Sequence, residues 1–479
     1  MSRTRYALLG ALALALAAVF SYGHHHADEH FQILEFAGWK LGLTPAEALP
    51  WEFAAQLRPT LQPAMVVVLY RTCDLFGTPA PFLITLLLRL FTAALAFAGT
   101  LLLVQGQFRN DALLRDPVLE KWYLFLSYGL WFTVYAAVRF SSEGLSSALF
   151  LLGTAVFLHH MDRRPDLRSL TVGVLLGLAF VVRYQTGFMI AGLLLWALLI
   201  ERRNFGRLAL TTGGIIFAVG LGIVVDRWFY GTWSLTLWTY FAENLLAGRA
   251  ASFGTEPWWY YFKEIILRGI PPFSVILLAA ALIAMLFRPR QASTWIVAPF
   301  LLAHLLIGHK ELRFLFPLLG FLPILVVHGL AEVRQRWWPA MLHARPVRFL
   351  VQAFLVIHVA VLLVTVFKPA EGDVALFRAV HDTYRDPITL YHGERKPFGN
   401  MEHIHFYRRP GLKITAWPEQ GVPTDARFLF IGTVSEPPTA PGYAALLIHR
   451  SLPLWVDRIN FGGWVERTQR WYIWELTRQ

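Results

Sequence analysis

The sequence predicts an all-α polytopic membrane protein of about eleven transmembrane helices, with interfacial helices on its outer face and a small C-terminal α/β soluble domain. Three observations lead there. Of the 479 residues 56% are apolar and only 15% are charged, whereas soluble domains carry about 25% charged residues and need them to cover their surface. Apolar stretches long enough to cross a bilayer recur along the first three quarters of the chain. The short loops on alternate sides of those stretches are basic, as cytoplasmic loops are. The net charge of +12 is therefore accounted for by loop bias, and no nucleic-acid partner is read from it. The single cysteine, Cys73, excludes an intramolecular disulfide framework and a cysteine-based zinc site.

The chain opens with Arg3 and Arg5 and an apolar run to Tyr22, a first spanning helix in preference to a cleaved signal peptide. Residues 23–79 are too polar to span. They contain possible amphipathic helices at 29–41 and 50–57, suited to the headgroup plane. Six spans come next, near 80–104, 122–138, 145–159, 170–182, 188–200 and 208–225. A second outer segment, 226–270, carries Trp233, Trp238, Trp258, Trp259, Tyr260 and Tyr261, an interfacial composition. Four more spans fall near 272–287, 294–308, 314–330 and 349–367.

With the amino terminus inside, the cytoplasmic loops contain Arg109, Arg115 and Lys121; Arg163, Arg164 and Arg168; Arg202, Arg203 and Arg207; Arg288 and Arg290; and Arg334, Arg336, Arg345 and Arg348. An odd number of spans leaves residues 368–479 outside. Alternating apolar segments at 427–432 and 444–449 suit strands, so this tail reads as a small α/β domain beside a membrane domain of residues 1–367.

Four polar constellations are candidates for chemistry. His24-His25-His26-Ala27-Asp28-Glu29-His30 lies directly after the first span, and adjacent carboxylates at a membrane boundary are costly unless solvated or used, which suggests acid–base work. A solvated loop is the bland alternative; a metal site on His26 and His30 is a further one, short of ligands. Arg139-Phe140-Ser141-Ser142-Glu143 and Arg183-Tyr184-Gln185 lie at outer span ends, where arginines also snorkel. Asp226-Arg227-Trp228-Phe229-Tyr230-Gly231 heads the aromatic loop, and Gly254-Thr255-Glu256-Pro257-Trp258-Trp259-Tyr260-Tyr261 closes it. Aromatic faces there suit sugars or lipid chains, or form a simple belt. His309-Lys310-Glu311-Leu312-Arg313-Phe314 offers three potential cations, a plausible phosphate clamp or a salt-bridged loop. In the topology set by the basic loops, Asp28, Glu143, Arg183, Asp226, Glu256 and Lys310 all project to the same side. One extracytoplasmic site explains that more simply than independent decorations.

At these residues the chain resembles the GT-C glycosyltransferases, specifically glycosyltransferase family 22, the mannosyltransferases that elongate GPI-anchor and N-glycan lipid precursors, with bacterial relatives. His26-Ala27-Asp28-Glu29-His30-Phe31-Gln32 is similar to the family's His-Pro-Asp-Glu and His-Phe-Gln, with alanine for proline. Arg58-Pro59 is a weak match to an arginine-containing segment, and Arg139 to Glu143 a looser form of Arg-Thr-x-Ser-Asn with a Glu after it. Asp226 to Gly231 resembles the head of the family's large luminal loop. Asn244 and Gly254 to Tyr261 resemble the later part of that loop, with Glu256 where the family has His. His309-Lys310-Glu311-Leu312-Arg313-Phe314 is similar to His-Lys-Glu-x-Arg-Phe at every fixed position.

The resemblance implies a GT-C fold, a polyprenyl-phosphate-linked sugar donor (mannose) and inverting transfer to a glycan or lipid-linked acceptor. On physical grounds such a transfer needs one base and a cationic phosphate site. Asp28 is the expected base, with Glu29 competing; His309, Lys310, Arg313 and Arg183 are expected at the donor phosphate. Asp226, Tyr230, Glu256, Trp258, Trp259, Tyr261, Arg139 and Glu143 are expected around the acceptor. No metal or other cofactor is expected, because the cations can balance the leaving phosphate. The expected location is a bacterial inner membrane, with the active site and C-terminal domain periplasmic. The rival readings are a GT-C transferase for arabinose, glucose, galactose or a protein acceptor, a lipid or polysaccharide transporter, and a silent scaffold.

Overall fold

The computed structural model describes residues 2–77, 79–159, 167–460 and 463–479. Among the described residues, six helices are long and apolar enough to cross a membrane: Arg3–Phe20, Pro81–Asn110, Ser142–His159, Phe205–Tyr230, Leu312–Arg336 and Arg345–Phe367. The pair Phe273–Phe287 and Ala292–Leu306, bent by 112°, makes up to seven. The chain is thus a mostly helical integral membrane protein.

The expectation of about eleven spans differs from this for identifiable reasons. The 122–138 stretch divides into Pro117–Gly129 and Trp131–Ala137, because Leu130 between them is extended (φ −62°, ψ 125°). The 170–182 and 188–200 stretches form shorter apolar helices, Leu167–Val182 and Gly187–Leu199. An apolar run of 13–16 residues satisfies a crossing or a buried core helix equally well, and composition does not separate the two. Arg163 and Arg164, counted among the basic loops, lie outside the described residues.

Small residues set the helix crossings. A Cβ on Gly173 would meet the Thr211 carbonyl oxygen at 2.0 Å, and one on Gly214 would meet that of Leu170 at 2.3 Å. Leu167–Val182 and Phe205–Tyr230 therefore touch backbone to backbone, as helices without a hydrophobic drive between them must.

Most polar chain collects at one end of the bundle, here the loop face. A nearly continuous helical segment runs along it: Ala27–Glu29, a π-helical turn His30–Glu35, then Phe36–Leu41, stopped by Gly42 in the left-handed region (φ 78°). Tyr260–Arg268 closes the aromatic loop.

After the last span comes the helix Gly372–Thr383 and a five-stranded sheet of β1 (Ile388–His392), β2 (Leu412–Ala416), β3 (Arg427–Gly432), β4 (Tyr443–Arg450) and β5 (Tyr472–Arg478). Their order is β2-β1-β3-β5-β4. β1 runs parallel to β2 and β3, with Leu390 opposite Leu429; β5 is antiparallel to β3 and β4, with Phe430 opposite Trp474. The segments expected as strands at 427–432 and 444–449 are β3 and part of β4. Val374, Leu376, Phe377 and Val380 of the helix are buried, as are Leu390, Leu429, Ile431 and Ile473 of the sheet. This region rests on the loop face: Ala370 N donates to the Tyr22 carbonyl at 2.8 Å.

Candidate active site

The site is assembled from the loop-face ends of several helices. Asp28 lies in the first turn of the short helix after the first span; the His26 Nδ1 accepts from the Asp28 amide at 3.2 Å and caps that turn. Glu143 is in the first turn of Ser142–His159, Arg183 comes just after Leu167–Val182, and Arg313 sits in the 3-10 segment Leu312–Phe321. Distant in sequence, these four form one ionic chain. Arg313 donates from Nη2 to Asp28 Oδ2 at 2.7 Å and from Nη1 to Glu143 Oε1 at 3.4 Å; Arg183 Nη1 donates to the same Glu143 oxygen at 2.8 Å. Arg313 also donates from Nε to Glu311 Oε2 at 2.6 Å. The His309 Nε2 is 3.1 Å from Glu311 Oε1, and the His26 Nε2 is 3.6 Å from Glu311 Oε2.

Glu143, Arg183 and Arg313 are buried, and charges in such surroundings persist only when mutually compensated. Burial alone would raise the Asp28 carboxyl, but the adjacent His26 ring and the Arg313 and Arg58 cations outweigh it and hold the group well below the usual carboxylate range. Glu29, one residue on, shifts the other way: burial pushes it up, and the Arg139 cation and the His25 amide, which donates to it at 2.8 Å, only partly offset that. Burial and then the Arg313 and Arg139 cations push the His25 imidazole down to about 4, so this ring is neutral at neutral pH.

A polar cavity and an apolar groove lie beside these residues. One is polar, lined by Asp28, Glu29, Arg58, Glu143, Arg183 and Arg313 among others. The Nε and Nη2 of Arg183 are buried and find no acceptor among the described residues. The other is a groove of about 540 Å³, walled by apolar side chains of Phe273–Phe287, Ala292–Leu306 and Leu312–Arg336, with His25, Tyr135, Tyr261, Arg268 and Lys368 toward its loop-face end. Among the described residues no group of three or more His, Cys, Asp or Glu is arranged to hold a metal ion. His26 and His30 do not converge on one ligand position: His26 faces Asp28 and Glu311, while the buried His30 faces Glu35.

Asp28, Glu29, Glu143, Arg183 and Arg313 line one cavity, whereas the other candidates make contacts of a different kind. The Lys310 ammonium donates to the carbonyls of Glu256 (2.9 Å) and Ile307, stapling two loops in place of facing an open phosphate site. His309 likewise reaches across to the Gly254 carbonyl, 3.1 Å from its Nδ1. Asp226 accepts from Thr60 N, Thr60 Oγ1 and Thr236 Oγ1, each at 2.7 Å, and is spent on joining the two outer segments. Tyr230 donates to the Arg58 carbonyl at 2.8 Å, and Arg139 to the carbonyls of Ser21 (2.6 Å) and Gly23 (3.0 Å). These are scaffold contacts: a charged or polar residue in sequence does not disclose whether backbone or ligand will take its hydrogen bonds. Trp258 and Trp259 are exposed, as is Glu256, while Tyr261 is buried against the groove.

Residues that sequence reasoning did not assign to the site are Gln32, Gln62, Tyr184, Gln185 and Tyr240, all lining the polar cavity, and Arg268 and Lys368 at the groove. Gln62 gave a usable signal, an amide at the head of an otherwise apolar helical run; it is buried and donates to the Phe140 carbonyl at 3.0 Å. Arg268 and Lys368 gave none, since a lone cation at the end of a span is ordinary.

With this geometry in view, comparison with known proteins is informative. The chain is 25% identical over 324 residues to GPI alpha-1,2-mannosyltransferase 3 of Bos taurus, covering 66% of this chain and 56% of that protein. It is 24% identical over 347 residues to GPI alpha-1,2-mannosyltransferase 3 of Homo sapiens, covering 70% and 59%. The chain thus matches a little over half the length of these relatives. Among solved structures, ArnT from Cupriavidus metallidurans in the apo state superposes with a TM-score of 0.49 at 14% identity, covering 90% of this chain and 93% of that one. The sequence profile of the Alg9-like mannosyltransferase family matches residues 6–394, most of the chain and all of the ionic constellation. This chain belongs to the Alg9-like mannosyltransferase family.

Proposed function

We propose that the protein transfers mannose, with inversion, from a polyprenyl-phosphate donor to a hydroxyl of a glycan or lipid-linked acceptor. The observation that carries this reading is the position of Asp28, a carboxylate kept ionised by Arg313 on a wall of the polar cavity, with its neighbour His25 facing the apolar groove. In this reading the groove takes the prenyl chain, and the acceptor enters through the polar cavity. Asp28 removes the acceptor hydroxyl proton as that oxygen forms its bond to the sugar anomeric carbon. The bond from that carbon to the phosphate oxygen breaks on the opposite face, and the electron pair leaves with the polyprenyl phosphate. Arg268 and Lys368, at the loop-face end of the groove, meet the phosphate charge, and Arg183, whose Nε and Nη2 find no acceptor among the described residues, steadies charge on the cavity side.

Arg313 and Glu143 orient the base. Lys310 and His309 act indirectly, by holding the loop that bears Glu256 and Trp258. The chain's own cations supply the charge balance, so no metal has a step to perform, and transfer is expected to persist in the presence of a chelator. The basic-loop bias supports an extracytoplasmic site with the amino terminus cytoplasmic; a bacterial inner membrane is part of the proposal.

The test is transfer of radiolabelled mannose from synthetic polyprenyl-phosphate-mannose to a membrane lipid extract. Wild type should transfer, and Asp28→Asn should fall at least about a hundredfold with donor binding retained, in the range for losing a general base. Donor binding without transfer by wild type would refute the acceptor class, and absence of donor binding would refute the sugar.

A further inference from the structure

The helical segment that carries Asp28 is held at both ends by the C-terminal region. At its far end, Glu35 is fully buried and its carboxylate accepts four hydrogen bonds: from Thr44 Oγ1 at 2.6 Å, from the amides of His405 and Phe406 at 2.8 and 3.1 Å, and from the His30 ring, whose Nε2 lies 2.6 Å away. Two of those donors are backbone groups of the loop between β1 and β2. The π-helical turn His30–Glu35 explains the geometry, because its wider winding brings residues five apart onto one face, where an α-helix would separate them. The His30 ring stacks on Tyr407 (centroids 5.6 Å, 15°), and Tyr407 on Phe82 of a spanning helix (5.0 Å, 27°).

At the near end, Ala370 donates to the Tyr22 carbonyl, the Arg378 guanidinium lies 4.4 Å from the Tyr22 ring centroid, and a Cβ on Gly23 would come within 2.8 Å of the Glu371 amide. Asp28 sits between the two anchors, and its reach to Arg313 depends on where they hold the segment.

We infer that the C-terminal region positions the catalytic base, and that Glu35 is the positioning residue through which it acts. Four donors on one buried carboxylate fix the exit of the turn, and half of that fixation comes from a part of the fold that, among the described residues, contributes no side chain to either cavity except at the Lys368–Ala370 junction. A carboxylate spent wholly on intramolecular donors has no capacity left for substrate, so its effect on transfer must pass through the loop.

This inference rests on Asp28 being the transfer base, and the experiment separates the two. Hydrogen–deuterium exchange of the full chain in nanodiscs is compared for wild type, Glu35→Ala and Glu35→Gln, alongside the mannose transfer assay. Glu35→Ala should raise exchange in residues 22–35 and 403–407 while leaving the spanning helices unchanged, and should lower kcat about tenfold or more with KM for the donor within about twofold, since a displaced base misaligns the reaction without touching donor binding. Glu35→Gln, which keeps an acceptor oxygen at the two amides, should restore most of both. Should Glu35→Ala not be recovered folded, Tyr407→Leu, which removes the stack under His30, should give the same pattern in milder form. Unchanged exchange in 22–35, or a lowered kcat that Gln does not rescue, would overturn the inference. If wild type transfers no mannose, the function reading falls while the exchange result still decides whether the C-terminal region fixes this segment.

Discussion

Asp28 and Glu29 are adjacent carboxylates with opposite electrostatic environments, and that contrast makes the base assignment testable by pH. Asp28 faces the Arg313 guanidinium and is held below the ordinary carboxylate range, whereas Glu29 is raised by burial. A group whose folded-state pKa is depressed keeps its charge above its unfolded-state value and loses it only as pH falls through the lower one. With Asp28 as base, kcat measured in proteoliposomes should stay flat from about pH 8 down to about pH 5. An acid limb lying above the ordinary carboxylate range, and removed by Glu29→Gln, would transfer the role to Glu29. Arg313 is the other decisive residue, since it bridges Asp28, Glu143 and Glu311. Its replacement by Met should lower the detergent-unfolding midpoint, at a cost below the about 3–5 kcal/mol of a fully unpaired buried charge, because Glu143 keeps Arg183 and Glu311 keeps His309.

Between elements, backbone proximity fixes the crossing of Leu167–Val182 and Phe205–Tyr230. Gly173 touches the backbone of the Phe205–Tyr230 helix, while Gly213, on that helix, has nothing within 4 Å of a would-be Cβ. Gly173→Val should therefore separate the two helices and destabilise by about 1–3 kcal/mol or more, whereas Gly213→Val should be nearly silent. Thermal unfolding of the two variants in one detergent checks this, with equal midpoints as the contrary result. The crossing matters for function because these helices present Arg183 and Asp226 at their loop-face ends.

For the whole molecule, the relevant feature is the partition into a polar cavity, with Asp28 on its wall, and an apolar groove, with His25 on its wall. Ala281 is buried in the groove wall. Ala281→Trp should block the inner groove and raise KM for a long-chain prenyl donor about tenfold, the loss expected from one or two displaced methylene contacts. A donor truncated to one or two isoprene units should be affected much less. Equal effects on both donors would place the prenyl chain elsewhere.

Composition, loop charge and local spacing were enough to read the membrane class, the gathering of the polar constellations on one side, the strands at 427–432 and 444–449, and the family motifs at Asp28 and at His309 to Phe314. Those properties depend on neighbours in the chain, so a linear reading reaches them. Which polar residues face a cavity and which hold the scaffold depends instead on the fold. Lys310, Asp226, Tyr230 and Arg139 share the polar character and loop-face placement of Glu143, Arg183 and Arg313, yet their hydrogen bonds end largely on backbone or on loop hydroxyls. The number of crossings was also beyond the sequence, because a short apolar run has the same composition whether lipid or protein covers it. Glu35 was not assigned to the site at all: its donors at 405 and 406 lie some 370 residues away, and no local pattern encodes a hydrogen bond to a backbone that only the fold brings near.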